Sequence, residues 1–360
     1  MPIFPTNFSS LSSQLNLHAM PHATIKAFPR GVYAPINTFF LPDSQDLDIP
    51  TFKKHAVNIA STGVGLVALG SMGEAVHLDH AERNTIVKAA REALDENNLS
   101  SVPLIIGTAA SSTRETIELT REAAEAGADY AMVISPGYFV GALSKDALKA
   151  YFVEVAAASP IPVIIYNYPG ASAGIDLDTD TIIGSEWRHG SKPPEQGLHE
   201  TDSLVNITTT VVNASPNIVG IKLTCGSVGK LTRLVNFRPD FLVLGGFVDF
   251  LCPSMLLNGA GCITGLGNVA PKSCMKLFNL TQSGLNGSAK DLAAAKELQV
   301  IVSNGDWTMC KVGIAGTKYV LDKLHGYGGV PRRPILPYSG DGEKLLADLK
   351  PLLDYENSLP

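Results

Sequence analysis

No stretch of this 360-residue chain stays apolar over the roughly 18 residues that a membrane-spanning helix needs, so a membrane partner is not expected. Blocks of lysine and arginine are also missing, and the net charge is −6, which argues against a nucleic-acid partner. Cysteine is scarce. The five (Cys225, Cys252, Cys262, Cys274, Cys310) all lie in the second half and show no CxxC spacing. They read as reduced, buried thiols of an intracellular protein, with neither a disulfide framework nor a zinc site. Acidic residues are wholly absent from residues 1–30, where a serine cluster and only Lys26 and Arg30 as fixed charges stand. That segment reads as a disordered extension on a cytoplasmic protein, a mitochondrial presequence being the alternative; no secretory apolar core is present. What is there, 45% hydrophobic and 17% charged residues, is an ordinary globular composition.

From residue 31 the chain alternates short apolar runs with amphipathic patterns. The runs at 32–40, 65–70, 103–108, 130–135, 162–167, 218–223, 241–246 and 261–266 are near-continuously apolar, as parallel strands covered on both faces must be. Between them lie helical patterns such as "SSTRETIELTREAAEAGA", which ends at Gly127. Eight such units predict an α/β chain folded as a (β/α)8 barrel over residues 31–285, followed by C-terminal helices over 286–360. A doubly wound open sheet lacks its GxGxxG fingerprint after the first strand. The connection at 168–217 is longer than the others, and its polar excess at 185–203, with a Pro-Pro pair, reads as an inserted loop or a gene-model artefact.

A barrel of this kind builds its site at the C-terminal strand ends. The second run delivers "GSMGE" (Ser71, Met72, Gly73), the third Thr108, the fourth "SPGYF" with Tyr138, and the fifth "YNYPG" with Tyr166. The sixth delivers Lys222, the seventh Gly245 and Gly246, and the eighth Gly265. Histidine is missing from these ends and carboxylates are nearly so; no metal and no cofactor are expected, because the hard-cation and zinc ligands are wanting. Amine chemistry remains. A lysine in an apolar wall loses its proton more readily, and the neutral amine can form a Schiff base with a ketone. A tyrosine can shuttle the proton, and the "GSMGE" turn offers backbone N–H groups and a hydroxyl to a carboxylate. Any one of these residues alone reads as packing or surface; their convergence carries the argument. "HLDH" (His77, His80) reads as surface, and "GSVGKL" (226–231) lacks the leading glycine and the Ser/Thr of a phosphate loop.

"GSMGE", "SPGYF", "YNYPG" and "GIKLTCG", in that order, resemble the dihydrodipicolinate synthase/N-acetylneuraminate lyase family, over about Gly31 to Pro334. The resemblance implies Lys222 as the Schiff-base lysine for pyruvate and Tyr166 as the proton shuttle. It further implies Ser71 in the proton relay and carboxylate contact with Met72 and Gly73 beside it, and Tyr138 reaching across a dimer interface. A small 2-oxo acid substrate and self-association as a dimer of dimers follow from it. Thr108, Gly245 and Gly265 are read as further substrate contacts. The arginine that clamps the second substrate of the synthases is missing from "YNYPGASAGID", and Gly137 precedes Tyr138. "GIAGTKYVLDKLHGYGGVPRRP" instead looks like the 4-hydroxy-2-oxoglutarate aldolase branch and its fungal relatives that cleave L-threo-3-deoxyhexulosonate. The expectation is a class I aldolase releasing pyruvate and an aldehyde. A dihydrodipicolinate synthase-type condensation and a catalytically silent binding barrel are the alternatives.

Overall fold

The computed structural model describes residues 26–183 and 211–360. The expected insertion at 185–203 lies outside the described residues, as do residues 1–25 of the expected extension. Among the described residues eight parallel strands close into a barrel in sequence order. They are β1 (Gly31–Pro35), β2 (Gly65–Ala68), β3 (Leu104–Gly107), β4 (Tyr130–Ile134), β5 (Val163–Asn167), β6 (Ile218–Leu223), β7 (Leu242–Gly245) and β8 (Gly261–Ile263). Each falls inside, or within one residue of, an apolar run. The first run differs most: β1 ends at Pro35, because Asn37 and Thr38 turn to hydrogen-bond the carbonyls of Met72 and Gly73 after β2.

Helices alternate with the strands: α1 (Ile49–Ala60), α2 (His80–Glu96), α3 (Thr113–Glu125), α4 (Lys145–Ala158), α5 (Thr179–Ile183), α6 (Val228–Leu234), α7 (Leu251–Leu256) and α8 (Pro271–Leu285). Their starts are written locally. Asp79 and Glu82 form a capping box on α2, and Ser112, Ser144 and Ser227 accept N–H bonds at the starts of α3, α4 and α6. The expected C-terminal helices begin with α9 (Ala289–His325), two helical stretches that meet at a kink at Gly313, whose backbone is out of helical geometry. α10 (Gly342–Ser358) follows.

Alternation along each strand divides the side chains between barrel and helix layer. Tyr33, Val67, Ile105, Met132, Ile164, Leu244 and Ile263 pack as the barrel interior, with Phe28 among them against Tyr33 and Tyr130. The intervening residues meet the helices in two larger apolar clusters. The β8–β1 seam depends on Gly261, at φ +131°, where a Cβ would lie 1.9 Å from the Gly31 carbonyl oxygen. Thiol placement departs from expectation: Cys262 and Cys274 are buried, Cys225 and Cys252 are partly so, and Cys310 is exposed, all five being free. The phosphate-loop lookalike is structural, since Lys230 is buried and bonded to Asp176 and the Leu177 carbonyl.

Candidate active site

Lys222 and Tyr166 face each other across neighbouring strands, at paired positions of β6 and β5. Parity puts both inside: Ile164 precedes Tyr166 by two residues and Gly220 precedes Lys222 by two. The Lys222 ammonium position is 4.2 Å from the centre of the Tyr166 ring, and its residue is 4% exposed. Burial lowers its pKa to about 7, only partly offset by Cys262. Near neutral pH roughly half of such an amine is unprotonated, against a trace for an ordinary lysine. Burial pushes the Tyr166 phenol up to about 12, while the nearby hydroxyls of Ser71 and then Thr224 pull it back. Thr224 Oγ1 is buried close to the Tyr166 phenol.

The "GSMGE" turn is held under strain and from three sides. Leu69 (φ 55°) and Glu74 (φ 53°) flank it in the left-handed region that side chains disfavour. Gly73 and Glu74 donate their N–H groups to Gly70 and Ser71 within the turn, whereas those of Ser71 and Met72 have no partner among the described residues. Asn37 and Thr38 hold the turn's carbonyls. Below it, Glu74 accepts a bond from Lys318 of α9 at 2.7 Å, both side chains being wholly buried, and another from the Arg332 N–H. Ser71 and Met72 therefore present the free donors of the pair, and Gly73 serves the turn itself.

Three expected contacts sit elsewhere. Thr108 lies one step off the inward register of Ile105, and its hydroxyl accepts a bond from Thr120 of α3 at 2.9 Å. Gly245 likewise faces the helix layer, where a Cβ would meet the Phe250 ring, and Gly246 takes the inward place against Thr224. Both follow from period-two alternation, which a reading of strand ends alone passes over. Gly265 keeps the inward place, opposite the Met72 thioether. Tyr138 does not enter its own mouth: it is 80% exposed and stacked edge-on with Phe139, itself 68% exposed.

The chain that carries this mouth matches known proteins over most of its length. The pattern of the Dihydrodipicolinate synthetase family matches residues 29–184 and 200–350. The chain belongs to the dihydrodipicolinate synthetase family. Among its relatives is an "L-threo-3-deoxy-hexylosonate aldolase" from Aspergillus niger, 39% identical, with 92% of this chain and 97% of that protein covered. Another, from Emericella nidulans, is named "Probable 4-hydroxy-2-oxoglutarate aldolase, mitochondrial" and is 41% identical over 91% of this chain and 96% of that one. YagE of Escherichia coli K12, of the same family and solved in complex with pyruvate, superposes with a TM-score of 0.71 at 29% identity, covering 91% and 98%.

Against the family frame, the residues that strand-end reasoning missed come from loops and from α9. Thr224 follows Lys222 by two residues and so shares its inward face. Asp306 of α9 is 2% exposed; its Oδ2 accepts the N–H groups of Val248 (3.1 Å) and Asp249 (3.2 Å), and its Oδ1 accepts the Thr264 hydroxyl (3.3 Å). It therefore ties the loop after β7 to the end of β8. Burial, and then Asp249, raise its pKa to about 7. Gln299 and Ser303, on the same stripe of α9, hold the Asp249 carbonyl. Asp249 itself keeps a buried Oδ1 with no hydrogen-bond partner. Asp306 falls between the helical patterns read from the sequence, where a lone carboxylate more often marks a solvated surface.

Proposed function

We propose that this protein is a class I aldolase that cleaves a 4-hydroxy-2-oxo acid or 2-keto-3-deoxy sugar acid to pyruvate and an aldehyde. The observation that carries the reading is Lys222, buried with its pKa drawn to about 7 beside Tyr166. The neutral amine attacks C2 of the substrate to give a carbinolamine. Tyr166, protonated at rest, donates its proton as hydroxide leaves and the iminium forms. The tyrosinate then takes the C4 hydroxyl proton. The C3–C4 electrons pass into the iminium, the aldehyde departs, and the enamine is protonated at C3 and hydrolysed to pyruvate and free Lys222. Ser71 relays protons to Tyr166, and the Ser71 and Met72 amides bind the carboxylate.

The assignment of these roles rests on the four motifs and on the geometry of the mouth. Fungal relatives named as aldolases, together with the missing arginine after Tyr166, favour cleavage over the synthase-type condensation. The exposure of Tyr138 with Phe139 and Val140 supports the reading that Tyr138 meets a second copy of the chain and completes the relay there. We assign the protein to the cytoplasm or, following the name of its Emericella relative, to the mitochondrial matrix. Among the described residues no helix is long and apolar enough to cross a membrane.

Borohydride reduction in the presence of pyruvate, followed by peptide mass mapping, tests this directly. A pyruvate-derived adduct on Lys222 is the expected result. Folded protein that yields none, or yields it on another lysine, removes Lys222 from the role.

A further inference from the structure

A sizeable cleft lies away from the strand-end mouth. It lies in the helix layer between α1, α8, the end of α9 and α10, with a volume of about 770 Å³. That is the size of a small-molecule site. Its floor is apolar, with Ile59, Met275 and Leu324, and its rim is a set of donors.

Glu356 is its one acidic lining side chain, and both oxygens are engaged: Oε1 accepts the Lys272 N–H, and Oε2 accepts the N–H and hydroxyl of Ser273. Of the other charged or amide-bearing side chains, Lys272 also donates its ammonium to the Leu359 carbonyl at 3.0 Å, and Leu359 and Pro360 line the cleft beside it. Lys272 and Lys276 stand one turn apart on the same face of α8, followed by Asn279; Lys276 also feels the charge of Asp291. Lys54 lies over the Tyr327 ring, 5.0 Å from its centre. His325, also on the lining, is held below its ordinary pKa by burial and then by Lys54, so it adds no charge at neutral pH.

The cleft is wired to the mouth. Burial keeps His55 neutral, with its pKa near 4. Its Nε2 faces the Asn268 Oδ1 at 3.0 Å, so that nitrogen donates, and Nδ1 must accept from the Tyr327 hydroxyl at 3.1 Å. Asn268 in turn donates to the carbonyls of Gly265 and Pro35, at the ends of β8 and β1. A one-way donor chain thus runs from a hydroxyl on the cleft to the strand end that faces Met72.

We propose that this cleft is an effector site for a small polycarboxylate anion, held by Lys272, Lys276 and Asn279 and read out through Tyr327. A carboxylate that accepts the Tyr327 hydroxyl takes it from His55, which loosens the hold of Asn268 on Gly265 and slows imine formation. The binding half stands apart from the proposed activity; only the read-out rests on it.

The test uses citrate on the full chain at constant ionic strength. Calorimetry without substrate should show binding at millimolar concentration or below. Lys276→Ala should weaken it about tenfold or more, leaving the rate of borohydride-trapped pyruvate adduct without citrate unchanged. In the wild type, citrate should slow trapping about fivefold, the low end of ordinary coupling. Tyr327→Phe should still bind, weaker by less than about tenfold, with trapping no longer responsive. Absence of citrate binding, or equal binding by Lys276→Ala, overturns the site. Slowing that persists in Tyr327→Phe places citrate in the mouth instead and overturns the relay, as does wild-type binding without slowing. If no adduct forms under any condition, the imine reading fails while calorimetry still decides the cleft.

Discussion

At the residue scale, what distinguishes Lys222 from the other lysines is its wall. Lys318 is equally buried but sits against Glu74, whereas Lys222 has no carboxylate partner within bonding distance among the described residues. Desolvation therefore acts nearly unopposed on Lys222 and lowers its pKa to about 7. The sign follows: the active form is the neutral amine, so the rate of imine formation with pyruvate should rise with pH, bend near pH 7 and level off above it. A profile that keeps climbing toward pH 10 would show that the lysine titrates normally. Tyr166→Phe removes the hydroxyl proposed to carry the proton and little else from the packing, because the ring that lies against Lys222 stays. We expect kcat for the cleavage reaction to fall by about 10² or more, with the Lys222 adduct still trapped by borohydride. Near-normal turnover would take Tyr166 out of the relay.

At the element scale, the β2 turn and α9 are one device. The strained conformations at Leu69 and Glu74 persist because Asn37, Thr38, Lys318 and Arg332 over-determine the turn. A wholly buried ion pair is weak as a source of stability, yet removing one partner strands the other charge. Lys318→Met should therefore cost about 3–5 kcal/mol in urea unfolding, with weakened pyruvate binding in the fraction that folds. A loss below about 1 kcal/mol would mean that Glu74 finds another partner or leaves the interior. α9 kinks at Gly313, and its first part keeps Gln299, Ser303 and Asp306 on one stripe above the β7 loop.

At the scale of the whole molecule, the exposed cluster of Tyr138, Phe139 and Val140 sits on the loop after β4, beside the mouth yet pointing away from it. Single exposed apolar residues need no explanation, but a run of three at a strand end reads as a contact surface. Phe139→Asp puts a charge in that contact, and sedimentation should show a smaller assembly than the wild type forms. If Tyr138 acts in a neighbour's mouth, kcat should fall with the assembly, while the Lys222 adduct still forms. An unchanged assembly would exclude this loop as the interface. The fold itself was legible because apolar runs and helix patterns alternate with local caps at their ends, and sequence order is also spatial order in the barrel. Lys222, Tyr166 and the β2 turn were legible for the same reason: each lies where a strand ends.

What the sequence by itself determined was the list of strand ends, the amine chemistry they imply and the family resemblance, since each of these is written in contiguous residues. Only the tertiary structure decided which side of the barrel each residue serves. One step of register sent Thr108 and Gly245 to the helix layer and brought Gly246 and Thr224 inward. Only the packed molecule could bring Glu74 to Lys318, Asp306 to the β7 loop, and His55 to Asn268, because these pairs lie far apart in the chain and no local pattern couples them. The desolvation that draws the Lys222 pKa down is likewise a property of the closed barrel: burial lowers it only when all of its surroundings are in place.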